Sequence, residues 1–219
     1  MRTLAPLVLL VLIVALLAPG LVTARDPSLV AIETEANFLT GHPARNPGGT
    51  INVVVEIPAG TLEKWEVNET GDRLEWELKK GVRRMVQYLP YPANYGMIPG
   101  TLLAEDRGGD GDPLDVVVLG SAIPRGSVVP ATPIGVLRLL DDGEQDDKVL
   151  AVPAEGPLAG VRSLAELRER FPGVDTIIET WFSHYKGPGR IETRGFGDAA
   201  EARGILEAAV AGYTERAAR

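Results

Sequence analysis

Three carboxylates fall within six residues, at Asp110, Asp112 and Asp115, in the run Asp110-Gly-Asp-Pro-Leu-Asp115. Gly111 and Pro113 hold this stretch in a turn, and a β-branched run, Val116–Leu119, follows it. Carboxylates so close repel one another unless a cation sits among them. Hard divalent ions such as Mg²⁺ take all-oxygen ligand sets of this kind. A solvated acidic loop built on Asx turns is the competing interpretation. A calcium-binding EF-hand loop is excluded. Its twelfth position counted from Asp110 is Ser121, and its third counted from Asp106 is Gly108.

A second acidic group lies at Asp141, Asp142, Glu144, Asp146 and Asp147, closed by Lys148. It falls between two apolar runs, so it is expected at a hairpin tip. Two acidic loops at strand ends can face one side of a small barrel and hold several cations together. The basic residues near aromatic ones are the natural partners for phosphate oxygens. They are Lys64, two residues before Glu66, Arg83 and Arg84 near Tyr88, Tyr91 and Tyr95, and His184-Tyr185-Lys186. Surface ion pairing is the plainer role for each of them taken singly.

The elements that must position these groups follow from periodicity. Ile51–Pro58, Val82–Tyr88, Val116–Leu119, Ile134–Leu140 and Val149–Val152 are expected strands. Trp65–Val67 and Arg73–Leu78 alternate as a hairpin around Asn68–Asp72. Leu89–Gly100, with three Pro and two Gly, is expected as a long ordered loop without regular structure. Helices come late. Ser163-Leu-Ala-Glu166 is a capping box opening a short helix that ends near Pro172. Asp175–Tyr185 has apolar residues at helical spacing, and Asp198-Ala-Ala-Glu201 opens an Ala-rich helix running toward Ala217. Short strands followed by helices imply an α+β fold, mainly β: a small closed barrel with flanking α-helices.

Composition agrees and excludes other classes. The chain has 219 residues, with 45% hydrophobic and 24% charged, so disordered and fibrous classes are out. The 25 Gly and 17 Pro favour a loop-rich β architecture over a helical bundle. There is no Cys, hence no disulfide, no thiolate metal site and no Cys nucleophile. Two His are too few for a His-based cluster. The net charge of −8 argues against a nucleic-acid partner, whose phosphates need a basic stripe.

Residues 1–24 form a leader. Arg2 precedes an apolar run from Leu4 to Leu17, Pro19-Gly20 breaks it, and Val22-Thr-Ala24 fits cleavage after Ala24. A secreted, periplasmic or cell-envelope location is expected. An uncleaved anchor is the alternative, since Leu4–Val22 is just long enough to span a bilayer. Residues 25–49, rich in Pro and Gly, are expected as an arm or linker, and 50–219 as the functional domain.

Six separated motifs in order now carry a resemblance. They are Glu56-Ile-Pro-Ala, Lys64-x-Glu66, Tyr91-Pro-Ala-Asn-Tyr95-Gly96, Asp110-Gly-Asp112-Pro-Leu-Asp115-Val116, Asp141 with Asp146 and Lys148, and His184-Tyr185-Lys186. From about Ile51 to the C-terminus the chain resembles the family I soluble inorganic pyrophosphatases. The resemblance implies a five-stranded barrel of the oligonucleotide-binding (OB) type. It also implies hydrolysis of diphosphate to two orthophosphates with three or four Mg²⁺ ions, Mn²⁺ being a substitute, and a homo-oligomer. Carried over by motif, Asp110, Asp115 and Asp146 correspond to tight metal ligands, with Asp115 bridging two ions. Asp141 and Asp146 correspond to ligands of a substrate-borne ion, and Glu56 and Glu66 to outer ligands acting through water. Asp112 corresponds to the general base, and Tyr95 to the residue tuning the water and Asp112. Lys64, Arg83, Lys148, Tyr185 and Lys186 correspond to phosphate binders, Arg83 being preferred to Arg84 on its spacing to Tyr91. Departures are a longer stretch between Glu66 and Arg83, extra length at Arg107-Gly-Gly, Arg190 in place of another Lys in some members, and the leader itself. An inactive binding module and a phosphohydrolase of longer polyphosphates or organic diphosphates are the alternative functions.

Overall fold

The computed structural model describes residues 30–103 and 111–218. Residues 1–24, expected as a leader, the stretch Arg107-Gly-Gly and Asp110 lie outside the described residues.

In chain order the strands begin with β1 (Ala31–Glu33), β2 (Ile51–Ile57), β3 (Trp65–Val67), β4 (Arg73–Trp76), β5 (Leu78–Lys79) and β6 (Val82–Arg83). They continue with β7 (Asn94–Met97), β8 (Asp115–Val118), β9 (Val128–Asp141), β10 (Glu144–Gln145) and β11 (Lys148–Pro153). Helices α1 (Leu164–Arg170) and α2 (Val174–His184), strand β12 (Ile191–Asp198) and helix α3 (Ala199–Ala217) complete the chain.

The barrel is organised by β9. Its first residues pair with β2, its middle with β11 and its end with β12. β11 runs parallel to β8, β8 pairs antiparallel with β7, and β7 with β2. Five strands, β2, β7, β8, β11 and β9, are thereby linked in a ring, the small OB-like barrel expected from the sequence. The β-branched and aliphatic run Ile51–Ile57 is almost fully buried because both faces of β2 pack, one on the barrel interior and one on the β1-β4-β3 sheet. Burying each such side chain contributes roughly 1.5–3 kcal/mol.

Capping is as the sequence dictates. The Ser163 hydroxyl accepts from the Glu166 N–H at 3.1 Å, and the Glu166 carboxylate accepts from the Arg162 N–H. The Asp198 carboxylate accepts from the N–H groups of Ala200 and Glu201 at 2.9 Å each. In α2 the apolar face is Ile178, Trp181 and Phe182, while Ile177 points outward.

Three expectations are corrected. Leu89–Gly100 is not wholly irregular, since Asn94–Met97 forms β7. Pro90 and Pro92 precede the strand and Pro99 follows it, so no ladder N–H is lost inside it. Gly96 serves close approach: a Cβ there would stand 1.8 Å from the Val54 carbonyl oxygen. The arm is not a loose linker over its whole length. Ala31–Glu33 pairs with β4, and Phe38 is buried beside Trp65 and Leu74. Between Val82 and Tyr88 only Val82–Arg83 is strand, because the next residues turn the chain toward the cleft. The sequence reading also lacked β12, whose alternation is broken by a bulge between Thr193 and Phe196.

Candidate active site

The site is assembled from strand ends on one side of the barrel. β2 bulges between Val55 and Ile57, and the bulged residue is Glu56. Bulges re-aim side chains, and the Glu56 carboxylate turns to accept from the Val67 N–H at 2.8 Å. Glu56 is buried, and that burial lifts its pKa to about 8, against the opposing pull of Lys64. Lys64 pairs with Glu66 at 2.7 Å and stands over the Tyr95 ring, 5.2 Å from its centroid. Burial disfavours its charge, but Glu66, Glu56 and Asp115 together hold the ammonium above its ordinary pKa.

Lys148, at the start of β11, is the centre of the arrangement. Its Nζ donates to both Asp115 and Asp146, and it lies 5.8 Å from the Tyr95 ring centroid. Only 3% of the Lys148 side chain is exposed. Burial acts against its charge, yet the two carboxylates outweigh it and raise its pKa. The two carboxylates respond differently. For Asp115, burial is outweighed by Lys148, Lys64 and the Tyr95 hydroxyl, and its pKa falls. Asp146 is raised, because burial and neighbouring Asp115 exceed the help of Lys148. Tyr95 is buried, which lifts its phenol well above the ordinary value. Its hydroxyl hydrogen-bonds Asp115.

The hairpin joining β9 and β10 carries the second acidic group. Asp142 and Gly143 both have positive φ, the signature of a two-residue type I′ turn, so Asp141 faces Glu144. Asp141 pairs with Lys186 through Oδ2, while its buried Oδ1 has no hydrogen-bond partner among the described residues. Asp147 lines the same depression as Asp112, Asp115 and Asp146, with its carboxylate engaged on the hairpin's own backbone and side chains. Its carboxylate accepts from the Leu139 N–H and from Gln145. Asp112, which is exposed, shares a small depression of about 40 Å³ with Asp115 and Asp146. The two acidic loops therefore do face the same side.

A larger cavity of about 280 Å³ adjoins this group, lined by Arg84, Gln87, Tyr185, Lys186 and Arg190 among others. Tyr185 is positioned by an aromatic stack. Its ring lies 4.6 Å from that of Trp181 with 11° between planes, and Trp181 in turn packs 4.5 Å from Tyr91. The Trp181 indole N–H donates to the Leu89 carbonyl at 2.9 Å, which fixes the stack to the loop before β7. Burial raises the Tyr185 phenol. Of the two adjacent arginines, Arg84 lines this cavity, held by Glu77 at 2.7 Å. Arg83 stacks on Trp76, 4.9 Å from the ring centroid, and is not among the cavity's lining residues. Spacing to Tyr91 could not separate neighbours in sequence. The end of β6 at Arg83 does: Arg83 stays on the hairpin against Trp76, and Arg84 leaves it toward the cavity. Arg190 pairs with Asp142 at the cavity rim.

Asn94 latches the loops around the barrel end. Its Oδ1 accepts from Ala59 and Ile123 N–H groups, and its Nδ2 donates to the Val118 and Ser121 carbonyls. All four of its hydrogen-bonding positions are satisfied in a fully buried side chain. Sequence reading gave it no role, because its work is visible only once three loops meet.

Among the described residues no three carboxylates or imidazoles converge closely enough to hold a metal ion by themselves, since Lys148 stands between Asp115 and Asp146. The donor set is nonetheless all oxygen, and the orphaned Asp141 Oδ1 is a buried acceptor awaiting a cation or donor.

A family model described as inorganic pyrophosphatase matches residues 53–214. The chain is 34% identical over 172 residues to the inorganic pyrophosphatase of Sulfolobus acidocaldarius, covering 77% of this chain and 94% of that one. It is 37% identical over 172 residues to that of Xanthomonas axonopodis pv. citri, covering 76% and 91%. Among solved structures it is similar to the type I inorganic pyrophosphatase of Toxoplasma gondii. That likeness has a TM-score of 0.76 and 32% identity, and covers 82% of this chain and 88% of that one.

Proposed function

Given that the chain belongs to the inorganic pyrophosphatase family, we propose that it hydrolyses diphosphate to two orthophosphates with Mg²⁺ as its native ion, on the exported side of a membrane. The observation that carries this reading is the buried Lys148 clamped by Asp115 and Asp146 beside a cavity bearing Arg84, Tyr185 and Lys186. Carboxylates for cations and cations for phosphate meet in one cleft.

The donor chemistry fits a hard divalent ion. Asp110, Asp115, Asp141 and Asp146 would hold such ions directly, and Glu56 and Glu66 through water. Bound there, divalent ions supply an acidified water and neutralise phosphate charge. The chain's own residues do the rest. Asp112, exposed at the edge of the acidic depression, accepts the proton of the attacking water. Tyr95 hydrogen-bonds Asp115 and fixes the orientation of that carboxylate. Lys64 and Lys148, both kept charged by their carboxylate neighbours, bind phosphate oxygens. Arg84, in place of Arg83, and Lys186 neutralise charge developing on the leaving phosphate. Tyr185, half-buried and protonated, donates its hydroxyl hydrogen.

Export rests on the leader sequence, whether cleaved after Ala24 or kept as an anchor, and makes extracytoplasmic diphosphate the substrate. Association into a homo-oligomer is part of the same reading. The test is phosphate release from diphosphate, tripolyphosphate and a nucleoside diphosphate, with and without Mg²⁺. Fast release from diphosphate alone, dependent on Mg²⁺, is expected. A folded protein that releases none with any divalent ion would overturn the enzymatic reading. Preference for tripolyphosphate would reassign the substrate.

A further inference from the structure

The β5–β6 hairpin takes no part in the barrel. Lys80 and Gly81 have φ of 55° and 75°, a two-residue turn that lets the finger fold tightly on itself. The register sets Leu78 opposite Arg83 and Lys79 opposite Val82, so Leu78 and Val82 lie on opposite faces of the finger. Both are nevertheless open to solvent, at 63% and 69%, and Lys79 and Lys80 are exposed too. Both faces of the finger are therefore wet. In a chain of net charge −8, the run Leu78–Arg83 holds three cations and no acid.

A second observation concerns where the chain enters the fold. The Val30 carbonyl accepts from the Trp76 N–H at 3.1 Å, and Trp76 is two residues before Leu78. In the sequence the apolar stretch Leu4–Val22 ends eight residues before Val30. That tether spans at most about 29 Å fully extended. With the leader kept as an uncleaved anchor, a bilayer holding Leu4–Val22 lies within reach of the finger.

We propose that the Leu78–Arg83 finger seats in the headgroup region of an anionic bilayer, as a second membrane contact beside the N-terminal apolar stretch. Leu78 and Val82 enter the acyl boundary, and Lys79 and Lys80 meet the lipid phosphates. A second copy of the chain fits this surface poorly. Two-fold pairing of the finger would set its three cations against three identical ones. The active-site cavity shares Lys79 with the finger, so its mouth opens beside the bilayer.

The chain has no Cys, which makes single-site labelling direct. Full-length chains carrying Leu78→Cys, Val82→Cys or, on the exposed face of α3, Arg203→Cys are labelled with an environment-sensitive fluorophore. Each is mixed with phosphatidylcholine vesicles with and without phosphatidylglycerol. On the anionic vesicles the labels at 78 and 82 are expected to shift to the blue, and their quenching by acrylamide to fall roughly threefold or more. The label at 203 should not change, and Lys79→Glu with Lys80→Glu should return the other two to their aqueous emission. Labels at 78 and 82 as quenchable as that at 203 on anionic vesicles would overturn the proposal. So would an equal shift on neutral vesicles, or a shift without vesicles that grows with protein concentration, the mark of self-association.

Discussion

Replacing Lys148 with Met tests the electrostatic centre of the site. The side chain keeps its length and loses its charge, so Asp115 and Asp146 face each other without their shared ammonium. Removing one partner of a buried ion pair costs about 3–5 kcal/mol. The Asp115 and Asp146 side chains are 28% and 21% exposed, and Asp115 keeps Lys64 and the Tyr95 hydroxyl, so the lower end applies. A loss of about 3 kcal/mol corresponds to a fall of about 6–12 °C in Tm for a chain of this size. The assay is thermal unfolding of Lys148→Met and the parent with a chelator, at neutral and mildly acidic pH, then with excess Mg²⁺. Without the lysine, burial and mutual repulsion push the folded-state pKa of the aspartates above their unfolded value. The deficit is then fully present above those raised values and shrinks as pH falls through them toward about 4. In the parent, the stabilisation that Asp115 draws from its lowered pKa is lost only as pH falls below about 4, which narrows the gap further there. Mg²⁺ should narrow it as well, by supplying the missing positive charge to the folded state. A variant as stable as the parent at neutral pH without metal would refute the reasoning. So would a gap indifferent to both acid and Mg²⁺.

Arg84→Ala should lower kcat/KM for diphosphate by roughly 10- to 150-fold, the loss of one charge-assisted phosphate contact, whereas Arg83→Ala should change it only severalfold. Steady-state phosphate release decides which arginine serves the cleft. Asp112→Asn should reduce kcat by roughly 10²–10⁴ while calorimetry still registers Mg²⁺ binding; near-normal turnover would remove Asp112 from its role as base. Gly96→Ala should destabilise the fold by about 3 kcal/mol, since its Cβ meets the Val54 carbonyl oxygen, and urea unfolding would register this as a lower midpoint with unchanged slope. Ser163→Ala should cost about 1 kcal/mol through the lost α1 cap, a fall of about 2–4 °C in Tm, without touching activity.

Local rules made much of this protein legible from its residues. β-branched runs marked β2, β8 and β11, and side-chain oxygens at Ser163 and Asp198 marked two helix starts, because these signals act over a few residues. The acidic turn, the acidic hairpin and the basic residues near Tyr91, Tyr95 and Tyr185 were legible too, because the chemistry of diphosphate restricts which residue types can serve it. Other features depend on long-range contact. Asn94–Met97 is a strand because β2 and β8 flank it, and its proline-rich surroundings conceal that in sequence. Ala31–Glu33 becomes a strand only against β4, and β12 only against β9. That Arg84 lines the cavity while Arg83 stacks on Trp76 was likewise beyond spacing, since only the folded chain fixes where β6 ends and which way the next residue leaves it. Residue chemistry is written along the chain, whereas direction and company are properties of the barrel that brings distant strands together.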